Sequence, residues 1–134
     1  MNAEIIKSFI SAINAADVQE IYNLMAPDHL FIDSHDNRVY GRDAMRQGWI
    51  GYFEMFPDYK LEMDEILMQD SLICIIGHAS GTYKNLKNPE NTNYWRVPAA
   101  WKAIIEDDKI KHWQVFADNS LALDISKRIE GKVW

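Results

Sequence analysis

The chain has one cysteine, Cys74, in 134 residues, so no internal disulfide can form. A lone thiol inside the apolar run Leu72–Ile76 fits a reducing compartment and a structural role. Basic residues are few: 14 Lys and Arg against 20 Asp and Glu leave a formal net charge of −6. That balance argues against nucleic acid, which needs clustered cations. The one basic group, Lys127-Arg128 with Lys132 and then Trp134, is too small for that purpose. No apolar run approaches the roughly 20 residues that span a bilayer, and the first residues carry no secretory signature. A cytoplasmic protein without a membrane partner is expected. The four histidines are scattered without clustered ligands, so no metal site is expected. Phosphate-binding glycine loops and a serine nucleophile elbow are missing too. No cofactor is therefore anticipated.

What the chain does have is aromatic residues: five Trp, six Tyr and five Phe. One domain covering residues 1–134 is the natural reading, long enough for a real core and a small pocket. Ile5, Ile6, Phe9, Ile10 and Ile13 form one apolar face, predicting a helix over residues 3–15 with Asn2 as its N-cap. Asp17 and Glu20 have the spacing of a capping box that opens a second helix, ended near Pro27. A short strand, His29–Asp33, follows. Gly41 precedes a third helix with an aromatic stripe of Trp49, Tyr52, Phe53 and Phe56. From Tyr59 the period becomes two. Its phase shift between Met63 and Ile66 predicts a bulge near Asp64-Glu65. Strands over residues 71–83, 94–105 and 110–118 come next, the first with a centre expected to be covered on both faces. A closing helix is expected over residues 121–129. Three helices followed by a meander give an α+β fold, with helices against one bent sheet that encloses a mostly apolar pocket.

Asp33 is the first candidate for chemistry. If its strand continues, Phe31, Asp33 and His35 share a face. Beside Phe31 the carboxylate would lose water, and a desolvated carboxylate is a candidate proton-transfer base. The alternative is an aspartate that caps a turn. His35 reads either as its acid–base partner or as an exposed turn residue. Strand alternation groups His78 with Ile76 and Ser80 and sets His112 on the opposite face from Trp113.

Several segments in this order resemble the cone-shaped α+β superfamily of nuclear transport factor 2. They are Phe9–Asp17 at the first helix junction, Asp33, Gly41–Met45, Phe56–Tyr59 and Lys109–Asp118. Within the superfamily the chain is similar to the SnoaL-like polyketide-cyclase and ketosteroid-isomerase branch. The resemblance implies a cystatin-like cone: three N-terminal helices on a strongly curved, mixed but mostly antiparallel sheet around a pocket. It also implies a small apolar organic ligand and a homodimer formed through the outer sheet face. The fold carries isomerases, cyclases and non-catalytic binders alike. By position, Asp33 falls where related isomerases keep their base. Phe9 and Ala100 fall where they keep the two donors that hold the enolate oxygen, so those donors are missing. Asp118 falls at the base position of SnoaL-type cyclases, or caps the closing helix. Arg46 and Arg96 stand at no recognisable motif.

Two functions stay open: a cofactor-independent isomerase or cyclase using Asp33 or Asp118 with His35, and a binding protein without chemistry. A partner-binding module using the outer sheet face is a third. The expected pocket comprises Phe9, Phe31, Trp49, Tyr52, Phe53, Ile75, Ala100, Trp113 and Val115. Lys102 would join it if it points inward with Ala100 rather than snorkelling to solvent.

Overall fold

The computed structural model describes residues 1–86, 88–90 and 92–130. Lys132 and Trp134 of the basic group, and Lys87 and Asn91 of the polar loop before residue 94, lie outside these. The described elements run α1 (Asn2–Asn14), α2 (Val18–Leu24), β1 (Met25–Ile32), β2 (Arg38–Tyr40), α3 (Arg42–Met55), β3 (Lys60–Gln69) and β4 (Leu72–Thr82). A single 3₁₀ turn follows at Tyr83–Asn85, then β5 (Tyr94–Glu106), β6 (Lys109–Ala117) and α4 (Ser120–Glu130). One six-stranded sheet has the order β2-β1-β6-β5-β4-β3. Only β1 and β6 pair in parallel; every other neighbour is antiparallel. This is the α+β cone, with α4 where the closing helix is expected.

Helix α1 forms because Ile6, Phe9, Ile10 and Ile13 repeat at three- and four-residue steps and are all buried. Asn2 does not cap it. The residue lies inside the helix, and its side-chain amide donates to the Asp70 carbonyl at 3.2 Å. Asp17 does cap α2, accepting from the Glu20 backbone N–H at 3.1 Å. Pro27 does not end that helix. Strand β1 has already begun at Met25 and carries Pro27.

The inner sheet face is continuous. Ile73, Ile75, Gly77 and Ala79 of β4 are buried, as are Ala99, Trp101, Ala103 and Ile105 of β5, and Trp113 of β6. The outer face is bare. Ile76 is 39% and Leu72 41% exposed, so the apolar centre of β4 is covered on one side only within a single chain. Asn14 protects the edge of β3. Its side chain accepts from Leu61 N–H at 2.8 Å and donates to the Leu61 carbonyl at 3.1 Å, completing a pairing that edge strands otherwise leave open. Asp58 ties the α3–β3 connection to the end of β4, taking the Thr82 N–H and hydroxyl at 2.7 Å each. No described helix is long and apolar enough to cross a membrane. Among the described residues, no three His, Cys, Asp or Glu side chains gather into a metal site.

The expected bulge lies between Met63 and Glu65, opposite Gly77. A Cβ on Gly77 would stand 1.8 Å from the Glu62 carbonyl oxygen and 3.2 Å from the Asp64 nitrogen. The bulge pushes backbone into the space a side chain would need. Gly77→Ala should therefore cost roughly 2–3 kcal/mol, read as a lowered urea midpoint. An unchanged midpoint would show that the two strands separate freely here.

His29 is fully buried on β1. Its Nδ1–H donates to the Ile110 carbonyl at 2.7 Å, and Nε2 has no partner. A neutral imidazole tolerates that arrangement, whereas an imidazolium would bury an unpaired charge. Burial accordingly lowers the His29 pKa to about 4, against the Ile110 hydrogen bond, which raises it. The unfolded chain takes up this proton near pH 6.5 and the folded chain does so only near pH 4. His29 stability is thus complete above pH 6.5 and declines as pH falls toward 4. Between pH 7 and pH 5 the loss should be about 2 kcal/mol. His112, also lowered by burial, adds in the same direction. Denaturation at both pH values should reveal the loss, and His29→Gln should remove most of it.

Candidate functional site

Helix α3, the β1–β2 turn and the inner sheet face enclose a cavity of about 170 Å³. Each element contributes according to its period. Met45, Gly48, Trp49 and Tyr52 are one face of α3, at steps of three and four. Trp113, Val115 and Ala117 alternate inward along β6, and the parallel register sets Phe31 of β1 directly beside Trp113. Tyr59 enters from the α3–β3 connection, Ala79 from β4, Trp95 from β5 and Val39 from β2. Gly48, Ala79 and Ala117 leave room among the large rings that share the lining.

The rings form a connected wall. Trp49 meets Tyr52 edge-on at 6.4 Å, Tyr52 meets Tyr59 edge-on at 5.0 Å, and Tyr59 lies tilted against Trp95 at 6.2 Å. Burial pushes both tyrosine phenols up from their ordinary pKa, and Tyr59 pushes Tyr52 further. The Trp101 N–H lies close enough to the Tyr59 hydroxyl to oppose its rise, without hydrogen-bond geometry. Both phenols are therefore neutral donors throughout the physiological range.

Polar groups gather at the rim. Asp33 falls just after β1, in the turn. Its Oδ1 accepts from the backbone N–H of His35 and of Asn37 at 2.9 Å each, and its Oδ2 accepts from the Asn37 side-chain amide at 3.1 Å. Asn119 donates through Nδ2 to the Ser34 hydroxyl at 2.6 Å, joining the β6–α4 junction to this turn. Asp33, Ser34 and Asn119 all line the cavity.

Six of the residues singled out in the sequence thus meet at one cavity: Asp33, Phe31, Trp49, Tyr52, Trp113 and Val115. Phe9 is fully buried beneath it, edge-on to Trp113 at 5.0 Å and to Trp49 at 6.5 Å. Phe53 stacks on Trp49 at 5.5 Å, and Ile75 is buried on the inner face; like Phe9, neither reaches the lining. His35 does not share a face with Asp33, because the strand ends at Ile32 and His35 stands exposed in the turn. Asp118 is exposed and outside the lining. Its Oδ1 accepts from the Ser120 N–H at 2.9 Å, and this bond, with the Ser120 hydroxyl and nearby His35, holds its carboxyl below the usual range. The next residue, Asn119, is the one that lines the cavity.

Ala100 and Lys102 require a correction. They pair across β4 with Ile76 and Cys74 and lie on the outer face, while Ala99, Trp101 and Ala103 point inward. The inward phase of β5 is one residue away from the one expected. His78 is on the outer face as alternation requires, its Nδ1 3.2 Å from Asp64 Oδ2.

Tyr59, Trp95, Asn119 and Ser34 line the cavity without having been singled out. A signal existed for two of them: Tyr59 is in phase with Leu61, and Trp95 with Ala99 and Trp101. Asn119 and Ser34 sit in turns, where no period applies.

Solved structures with this arrangement are numerous. A protein of ketosteroid isomerase-like fold from Catenulispora acidiphila, in complex with trimethylamine, superposes with a TM-score of 0.78 at 17% identity, covering 92% of each chain. A proposed SnoaL-like polyketide cyclase from Jannaschia superposes at 0.76 with 14% identity, over 90% of this chain and 91% of that one. An NTF2-like protein of unknown function from Cytophaga hutchinsonii gives 0.69 at 12% identity, over 89% and 91%. At such identities the likeness is one of fold. No curated protein matches the chain in sequence. The SnoaL-like domain, however, matches residues 6–113, spanning α1 through Trp113 of β6. By that match and this cone, the chain belongs to the SnoaL-like family within the NTF2-like superfamily.

Proposed function

We propose that this protein binds a small, largely apolar organic molecule in the cavity between α3 and the inner sheet face. The observation that carries the reading is the lining itself. Six aromatic side chains and several small apolar ones surround about 170 Å³, with polar groups confined to two phenols and a rim. Apolar walls with a few placed polar groups are typical of small-molecule sites. A dry cavity of about 150 Å³ is known to hold a single benzene ring, so the ligand is of one-ring size. Trimethylamine, held by the Catenulispora relative, is smaller still.

A proton-transfer enzyme is the second reading, and Tyr52 and Tyr59 favour it. They are neutral O–H donors in the same cavity as Asp33 and would serve in place of the donors missing at Phe9 and on β5. Electrostatic stabilisation of a developing oxyanion is often the largest catalytic term. In this reading Asp33 takes the proton next to a carbonyl and a phenol holds the enolate oxygen.

Because Trp49, Trp95 and Trp113 line the cavity, their fluorescence should report occupancy. Titration with one-ring ketones and hydrocarbons should shift it saturably, and Trp113→Ala should change the affinity. No response to any of them would reject the site. For ketones that bind, wild-type protein should speed exchange of α-protons into deuterium oxide. Loss of at least about 100-fold in that rate in Asp33→Asn is the expected signature of a general base; equal rates would leave binding alone.

We further propose that two copies associate through the outer sheet face. Leu72, Ile76 and Phe116 expose apolar surface there, Phe116 at 51%. Such a patch is characteristic of an interface. Sedimentation should show a dimer that His78→Glu weakens, because the substitution places a charge amid this face. A monomer at micromolar concentration would refute the proposal.

A further inference from the structure

We infer that the cavity recognises a methylated ammonium group, with Asp33 as its counter-ion at the rim. This rests on the small-molecule reading and adds the charge of the ligand.

Three observations converge. The wall is aromatic: Phe31, Trp49, Tyr52, Tyr59, Trp95 and Trp113 all line the space. Aromatic faces carry a negative quadrupole and attract cations held within about 6 Å of the ring centre, most strongly when water is excluded. Asp33 is the one formally charged side chain among the lining residues, which include no Lys, Arg or His. The cation of the adjoining strand, Arg38, lies 3.5 Å from Asp36, an existing partner in the same turn. Asp118, also acidic, stands just outside the rim near His35. The site thus combines six lining rings with one carboxylate at its mouth, in a chain of net charge −6 that draws cations toward it.

The cost of occupancy decides between a cation and a neutral guest. Any ligand filling the cavity strips water from Asp33. The three N–H donors in its turn remain, but a neutral apolar guest offers nothing to replace the lost water, and a desolvated carboxylate without compensation is costly. A cation restores that interaction. A bare ammonium would bring three N–H donors needing acceptors, and the lining supplies few: Asp33, the Asn119 side-chain carbonyl and the two phenol oxygens. Methyl groups remove those donors and present apolar surface to the rings, as in other aromatic cages.

Choline and its uncharged isostere 3,3-dimethylbutan-1-ol test this by tryptophan fluorescence and calorimetry. Choline should bind at least tenfold more tightly at low salt, and 0.5 M NaCl should erode that preference by screening. Asp33→Asn should abolish most of it. Asparagine can still accept the two backbone N–H bonds of the turn, and an unchanged circular dichroism spectrum checks the fold. Tyr52→Leu, which keeps the volume apolar but removes a ring, should weaken choline more than the alcohol. Equal or tighter binding of the alcohol overturns the cation assignment while leaving the small-molecule reading intact. Binding of neither overturns both. A preference that survives in Asp33→Asn overturns the role given to the carboxylate.

Discussion

Everything in the site rests on Phe9. It is fully buried between Trp49 of α3 and Trp113 of β6, edge-on to both, and Trp113 in turn stacks on Trp101 of β5 at 6.4 Å. One ring therefore joins the first helix, the third helix and two central strands. Each aromatic contact of this kind adds about 0.5–1.5 kcal/mol beyond the area it buries. The geometric consequence matters more. Rings locked edge-to-face cannot slide into the neighbouring space, so the cavity above Phe9 stays open instead of collapsing.

The polar work is consequently displaced to the walls and the rim. Tyr52 and Tyr59 come from α3 and the segment after it, a different part of the chain from α1 and β5, where the isomerase donors would stand. The rim is organised by the turn after β1. There the Asp33 carboxylate holds the turn through three N–H donors while remaining at the cavity edge. The Asn119–Ser34 bond then fastens the same turn to the entry of α4. Asp33 is thus both a structural cap and a cavity residue. Of the two readings from sequence, the turn cap is the one these hydrogen bonds bear out.

Which parts were legible follows from how strongly pattern constrains each segment. Helix α1, the Asp17 cap and the β3 bulge were legible because one buried face or one phase shift leaves a single solution. Strand β5 was not. Around Ala99-Ala100-Trp101-Lys102-Ala103-Ile104 small and apolar residues occupy both faces, so alternation fixes no phase, and a slip of one residue moves every side chain to the opposite side. On the outer face Ala100 and Ile104 stand beside Lys102, so the polar marker that usually identifies solvent is diluted here. His35 failed for a different reason: the strand stops at Ile32, and a strand end depends on the Asx turn that Asp33 itself nucleates. His29 belongs to no motif. Its burial depends on pairing with the distant Ile110 carbonyl, a contact that local sequence does not encode.

Family and chemistry therefore separate cleanly in this protein. The cone is a property of α1, α3 and the sheet, shared with relatives at 11–21% identity. What the cone does depends on a handful of side chains that such identity leaves free to vary. Here the cavity is lined by two neutral phenols, other aromatic rings and one carboxylate at the mouth. At about 170 Å³ the cavity is comparable to one that holds a single benzene ring. The Phe9 contacts that join α1, α3 and the sheet thus stand directly behind the ring-lined space that Asp33 borders.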